Sequence, residues 1–146
     1  MPEGPLRQSP DGRPPHQDQA LALILCGGFG FLAVLIGALG AHALRGMIGE
    51  DRLPLFETAW LYHMSHALAL GLLATPLALK MPAFRRRAIG IAFGAGILLF
   101  SGSLYARALG APGFFAHTAP FGGLLLMAGW IGLMASGIRA LQDPPP

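Results

Sequence analysis

Four of the chain's five histidines, His42, His63, His66 and His117, fall near segment ends that an antiparallel bundle would bring to one side. His63 and His66 are three apart, so they share one face of a helix. Ser101 and Tyr105 are four apart and share another, and Glu57 and Arg107 fall at a similar level. Imidazoles grouped in this way can hold Zn or Cu, or two of them can ligate a haem axially. Neither spacing is diagnostic, because His-x-x-His alone is common. The structural alternative is that each imidazole bonds a serine, a tyrosine or a backbone carbonyl across a helix interface, for about 0.6–2 kcal/mol. Glu57 and Arg107 likewise read as snorkelling or ion-paired interface residues, with anion binding as the alternative. The expected site is a polar pocket of His42, Glu57, His66, Ser101 and Tyr105. His42, His63, His66 and His117 are weak metal candidates, and no cofactor is required.

Other chemistries are missing. No Ser/His/Asp set, His-Glu-x-x-His or phosphate loop occurs. The one cysteine, Cys26, excludes an intramolecular disulfide and any Cys-x-x-Cys pair. The expectation is therefore a protein that is not an enzyme.

The elements that must position these residues follow from charge. Only 12% of the 146 residues are charged, against about 25% in ordinary soluble domains. Charge-free stretches of 26, 22, 19 and 31 residues lie between Asp18 and Arg45, Glu57 and Lys80, Arg87 and Arg107, and Arg107 and Arg139. Elements of a soluble fold need a polar face, and these have none. A water-soluble domain, a disordered chain and a nucleic-acid binder are excluded. A bilayer core needs roughly 20 apolar helical residues per crossing, so four crossings consume the chain. The first apolar run also exceeds the roughly 7–15 residues of a signal-peptide core.

The expected fold is all-α, an antiparallel four-helix transmembrane bundle over residues 20–140. Its helices run about 20–44, 56–79, 88–109 and 119–138. Residues 1–19 hold five prolines and are expected to be a disordered tail; residues 141–146 form a second tail. Asp51 and Thr118 are expected as N-caps, each ahead of a proline. Pro76 costs the second helix one hydrogen bond, which Thr75 can compensate. Trp60 and Tyr62 fall at headgroup depth. Gly90-x-x-x-Gly94 is a close-approach pair. No acidic residue falls inside an expected span, which speaks against a proton-coupled exporter of the small multidrug type.

Both tails and the 80–87 turn share one side, with seven Lys and Arg residues against three on the other. The positive-inside rule then places both termini in the cytoplasm. The turn with Lys80, Arg85, Arg86 and Arg87 reads as a topology anchor, with a lipid-headgroup site as the alternative.

Several blocks carry a resemblance: Gly37-Ala-Leu-Gly-Ala-His-Ala-Leu44, the run from Phe56 to Leu70, Gly96-Ile-Leu-Leu-Phe-Ser-Gly-Ser-Leu-Tyr105, Ala119-Pro-Phe-Gly-Gly123 and Gly129-Trp130. Together they resemble the small membrane-protein family of bacterial YgdD and eukaryotic transmembrane protein 256, built on a domain of unknown function. The resemblance covers about residues 20–140. It implies a four-helix integral membrane protein, in bacteria at the inner membrane, and brings no activity, substrate or cofactor. His42, Glu57, Tyr62, His66, Ser101, Ser103, Tyr105 and Pro120 fall in its blocks. His63 stands where the family often has glutamine, and Ala119 where it usually has threonine. Both departures weaken a four-histidine metal site. The expected function is a membrane scaffold or interaction protein, with self-association through glycine-rich faces or a membrane-protein partner. The alternative is a protein that binds a metal or a small lipophilic ligand.

Overall fold

The computed structural model describes residues 15–42, 44 and 46–142. The rest of the expected tails, 1–14 and 143–146, lies outside them. The described residues are helical, with no strands: α1 (Pro15–Ala41), α2 (Leu53–Leu72), α3 (Pro76–Leu79), α4 (Ala83–Ala108) and α5 (Ala119–Gln142), with a 3-10 turn at Gly113–His117 before α5. This is the expected all-α antiparallel membrane bundle.

The helix boundaries differ from the sequence reading in instructive ways. α1 begins at Pro15 rather than near residue 20, so Asp18 lies in its first turn, where the helix macrodipole favours an acid. The second helix does not run through Pro76. It stops at Leu72, and Thr75, extended at φ −71° and ψ 153°, caps the short α3 by accepting a bond from the Ala78 amide. A residue before proline is driven out of the helical region, which forces this break. Asp51 is not the cap of α2; Arg52 takes that position with no side-chain cap bond, and Pro54 sits in the first turn. Thr118 is helical itself and sends its hydroxyl back to the Phe115 carbonyl at 2.8 Å. α4 begins at Ala83, so the three arginines expected in a turn are already on a helix. Its other end closes in a Schellman motif: Ala111 N–H bonds the Ala106 carbonyl and Gly110 N–H bonds Arg107. Gly110 takes φ +93°, which a side chain would strain.

The packing order is α1 on α2, α2 on α4 and α4 on α5, each pair antiparallel. Along α1 and α2, Gln19 donates to the Ala74 carbonyl at 3.3 Å and Trp60 Nε1 to the Ala33 carbonyl at 2.9 Å. Trp60, expected at headgroup depth, thus reaches the body of α1, and does so over Gly37. A Cβ at Gly37 would stand 2.5 Å from the indole nitrogen. α4 and α5 form the most extensive helix contact. There Gly122 lies on the α4 backbone at Leu99 and Phe100, Gly129 on the Phe93 ring and Gly132 on Ile89. The core between the helices is Leu70, Leu73, Ile89, Phe93, Ile97 and Leu126.

Among the described residues, three helical stretches are long and apolar enough to cross a membrane: Gln17–Ala41, Ala83–Ala108 and Gly113–Gln142. α2 is more polar, yet connectivity makes it cross. Asp18 near the start of α1 meets Arg86 and Arg87 near the start of α4. The two helices therefore begin at one end of the bundle, and α2 must return the chain between them. Its 20 residues span about 30 Å, one hydrocarbon thickness.

Candidate functional site

α2 carries both buried histidines, on a side that packs on α4 and is reached from α5 by Trp130. His66 is 6% exposed and uses both ring nitrogens. Nε2 accepts from Trp130 Nε1 at 3.0 Å, so Nδ1 bears the proton and donates to the Tyr62 carbonyl at 2.7 Å. Both nitrogens of a neutral imidazole are then occupied. Aromatic rings enclose it: Tyr62 stacks on it, Trp130 meets it edge-on, and Phe93 lies tilted at 5.8 Å. This ties α2 to α5 across the face of α4.

His63 belongs to a separate contact one turn nearer the other end. It is buried, and its Nδ1 lies 3.5 Å from the Tyr105 hydroxyl, at the long limit of a hydrogen bond. Phe29 of α1 meets its ring edge-on, and Phe56 meets Tyr105 likewise. Among the described residues, His63 Nε2 and the hydroxyl of Ser101, itself 1% exposed, have no hydrogen-bond partner.

The expected pocket of five therefore divides. Tyr105 joins His63, and His66 joins Trp130. Ser101 is buried on α4, on the same helical face as Tyr105. His42 and Glu57 are exposed, and their side chains make no hydrogen bond, ion pair or ring contact among the described residues. His117 is exposed too, on the 3-10 turn. Of the four weak metal candidates, the two on α2 are buried and the other two face outward. Among the described residues, no three His, Cys, Asp or Glu side chains stand together as a metal site. Glu57 and Arg107 do not pair.

Two features escaped the sequence reading. Trp130 was legible only as part of a Gly-Trp block, and nothing in the spacing linked it to a histidine 64 positions earlier. The ion cluster at the opposite end was hidden by assigning Asp18 to a tail. Asp18 is 8% exposed and Arg86 6%. Arg86 Nη2 bonds the Asp18 carboxylate, and Arg87 Nη2 bonds its other oxygen at 3.2 Å. Arg86 Nη1 also reaches the Ala78 and Met81 carbonyls at 3.4 Å. Asp18 is therefore an acidic residue inside the first apolar helix, against the expectation of none. Two guanidinium groups meet its carboxylate and tie the start of α1 to the start of α4.

Apolar helices joined by a few buried polar ties, with cations at both ends, define an integral membrane protein. Residues 36–123 match the family model described as a protein of unknown function, DUF423. The UPF0382 membrane protein YwdK of Bacillus subtilis is 37% identical over 111 residues, 75% of this chain and 89% of the relative. A UPF0382 membrane protein of Haemophilus influenzae is 38% identical over 111 residues, 76% and 88% of the two chains. The inner membrane protein YgdD of Escherichia coli is 34% identical over 115 residues, covering 75% and 83%. The chain belongs to this family of small membrane proteins, as the sequence blocks suggested. No solved structure matches it.

Proposed function

We propose that this chain is a non-enzymatic interaction protein of the membrane, docking through α1 on another transmembrane helix. The observation that carries this is the open space around Gly27, Gly28 and Gly30, where an added Cβ would meet nothing within 4 Å. Glycine in a helix costs roughly 0.5–1 kcal/mol relative to alanine. At Gly37 and Gly40 that cost is offset inside the chain, by the close approach of Trp60 and Phe56. At these three glycines of α1 nothing among the described residues offsets it, and a partner backbone approaching closely would. Ile24, Phe31 and Val34, 60–69% exposed, continue the face that Gly27 occupies. Among the interior polar groups, His66 supports this reading, since one of its nitrogens bonds Trp130 of α5 and the other the Tyr62 carbonyl of its own helix.

The test is disulfide trapping in native membranes. With Cys26→Ser as background, Ile24→Cys should give an oxidised adduct, either a second copy or a heavier partner. Gly27→Leu with Gly30→Leu should abolish it without lowering the unfolding temperature. No adduct from Ile24→Cys, Phe31→Cys or Val34→Cys would defeat the proposal. Both termini face the cytoplasm in this reading, following the basic end of the bundle; a thiol at residue 1 labelled from outside intact cells would reverse it. A second reading, binding of a small polar molecule, is favoured by the unpartnered Ser101 hydroxyl and His63 Nε2. It predicts that Ser101→Ala changes what the purified protein retains.

A further inference from the structure

The basic run at the start of α4 divides between two sides of the helix. Successive helical residues differ by about 100°, so Arg85 and Arg87 point nearly opposite ways. Arg86 and Arg87 turn to Asp18. Arg85 and Lys80 turn instead to a cleft of about 1320 Å³ between the α3–α4 connection and the end of α5, where Arg139 also stands. Among the described residues no acidic side chain lines this cleft, and none of its three cations is in an ion pair. Its inner wall is apolar, formed by Trp130, Leu133 and Met134 of α5.

Three cations around one opening repel each other unless an anion lies among them. Below them the wall is hydrocarbon, and that end of the bundle stands at headgroup level. A ligand matching both is negative at one end and apolar at the other. We propose that the cleft binds an anionic phospholipid, with its phosphate held by Lys80, Arg85 and Arg139 and an acyl chain lying along Leu133 and Met134. Charge complementarity selects the headgroup, and the apolar wall separates a lipid from a free phosphate ion.

The experiment uses the full chain in mild detergent, with native mass spectrometry after titration with phosphatidylglycerol or phosphatidylcholine of the same acyl composition. Phosphatidylglycerol should be retained about tenfold better or more. Lys80→Gln, Arg85→Gln and Arg139→Gln should each weaken it about fivefold, the factor given by roughly 1 kcal/mol per juxtamembrane cation. Arg52→Gln and Arg107→Gln, at the other end, should not. Excess inorganic phosphate should leave the lipid in place. Equal retention of both lipids by the unaltered protein overturns the proposal and depends on no variant folding. Displacement by inorganic phosphate, or an equal loss in Arg52→Gln, overturns it as well.

Discussion

Replacing Gly122 by alanine should separate α4 from α5. A Cβ built on Gly122 meets backbone on the facing helix: it stands 2.8 Å from Leu99 C and from Phe100 Cα and closer still to Phe100 N, against 3.4–4 Å for ordinary contact. A side chain can rotate away from such an overlap, but helix backbone cannot. The two axes must move apart by more than half an ångström, along the most extensive helix contact in the molecule. Overpacking typically costs about 1–3 kcal/mol, and a backbone obstruction belongs in the upper half of that range. At roughly 2–4 °C per kcal/mol for a chain of this size, about 2 kcal/mol lowers the unfolding temperature by roughly 4–8 °C. The assay is thermal unfolding in detergent, read by tryptophan fluorescence. Trp130 sits on the displaced helix, and Trp60 on α2 serves as an internal reference. Gly90→Ala and Gly94→Ala are the comparison, because their added Cβ atoms would meet Leu73 and Phe29 at 3.4 and 3.8 Å, ordinary contact distances. Both should unfold near the unaltered temperature. If Gly122→Ala unfolds with them, or if Gly90→Ala loses as much, the packing argument fails.

Three further outcomes follow from the buried ties. Trp130→Phe keeps the ring and removes the donor to His66 Nε2, leaving that nitrogen unpaired; a loss of about 0.6–2 kcal/mol is expected in the same assay. Asp18→Asn takes the carboxylate from two guanidinium groups and should cost about 3–5 kcal/mol, while Asp18→Leu combined with Arg86→Met should recover most of it. A double-mutant cycle over residues 18 and 86 measures that coupling, and additive losses would show that the pair is not one unit. Gly37→Leu should push the Trp60 indole off the Ala33 carbonyl and change Trp60 emission, an effect Gly28→Leu should not reproduce.

The membrane class of the fold was legible because charge-free length is a property of the chain itself. Hydrocarbon tolerates few elements other than closed helices, so four long uncharged stretches left little choice. The histidines' burial on α2 was partly legible too, since His63 and His66 share a face at three-residue spacing. Their partners were not. Which residue of α5 reaches His66 depends on the register set by Gly122, Gly129 and Gly132 against α4, and glycines carry no side chain to announce a register. Asp18 was misread for a different reason. Proline-rich composition argued for a tail, but Pro15 suits the first turn of a helix, and a charge near an end costs little when arginines reach it. The Gly90-x-x-x-Gly94 spacing was real, yet it faces Leu73 and Phe29 inside the chain, while the open glycines on α1 carry no such spacing.

α2 shows why counting hydropathy and counting energy diverge. Among the described residues it is the one long helix less apolar than a membrane span by composition, because Glu57, two histidines and Ser65 dilute its apolar residues. The cost of a polar side chain in hydrocarbon depends on whether its donors and acceptors are met within the protein. His66 is met at both nitrogens and His63 at one, and Glu57 lies near the start of the helix, one turn inside Arg52. The same inward polarity that weakens the span signal supplies contacts from α2 to both α4 and α5. An α2 made uniformly apolar at positions 63 and 66 would insert more readily and hold its neighbours less specifically. It should therefore keep its helix content in circular dichroism while losing the sharpness of its thermal transition. A transition as sharp as that of the unaltered chain would mean that apolar packing alone fixes the register.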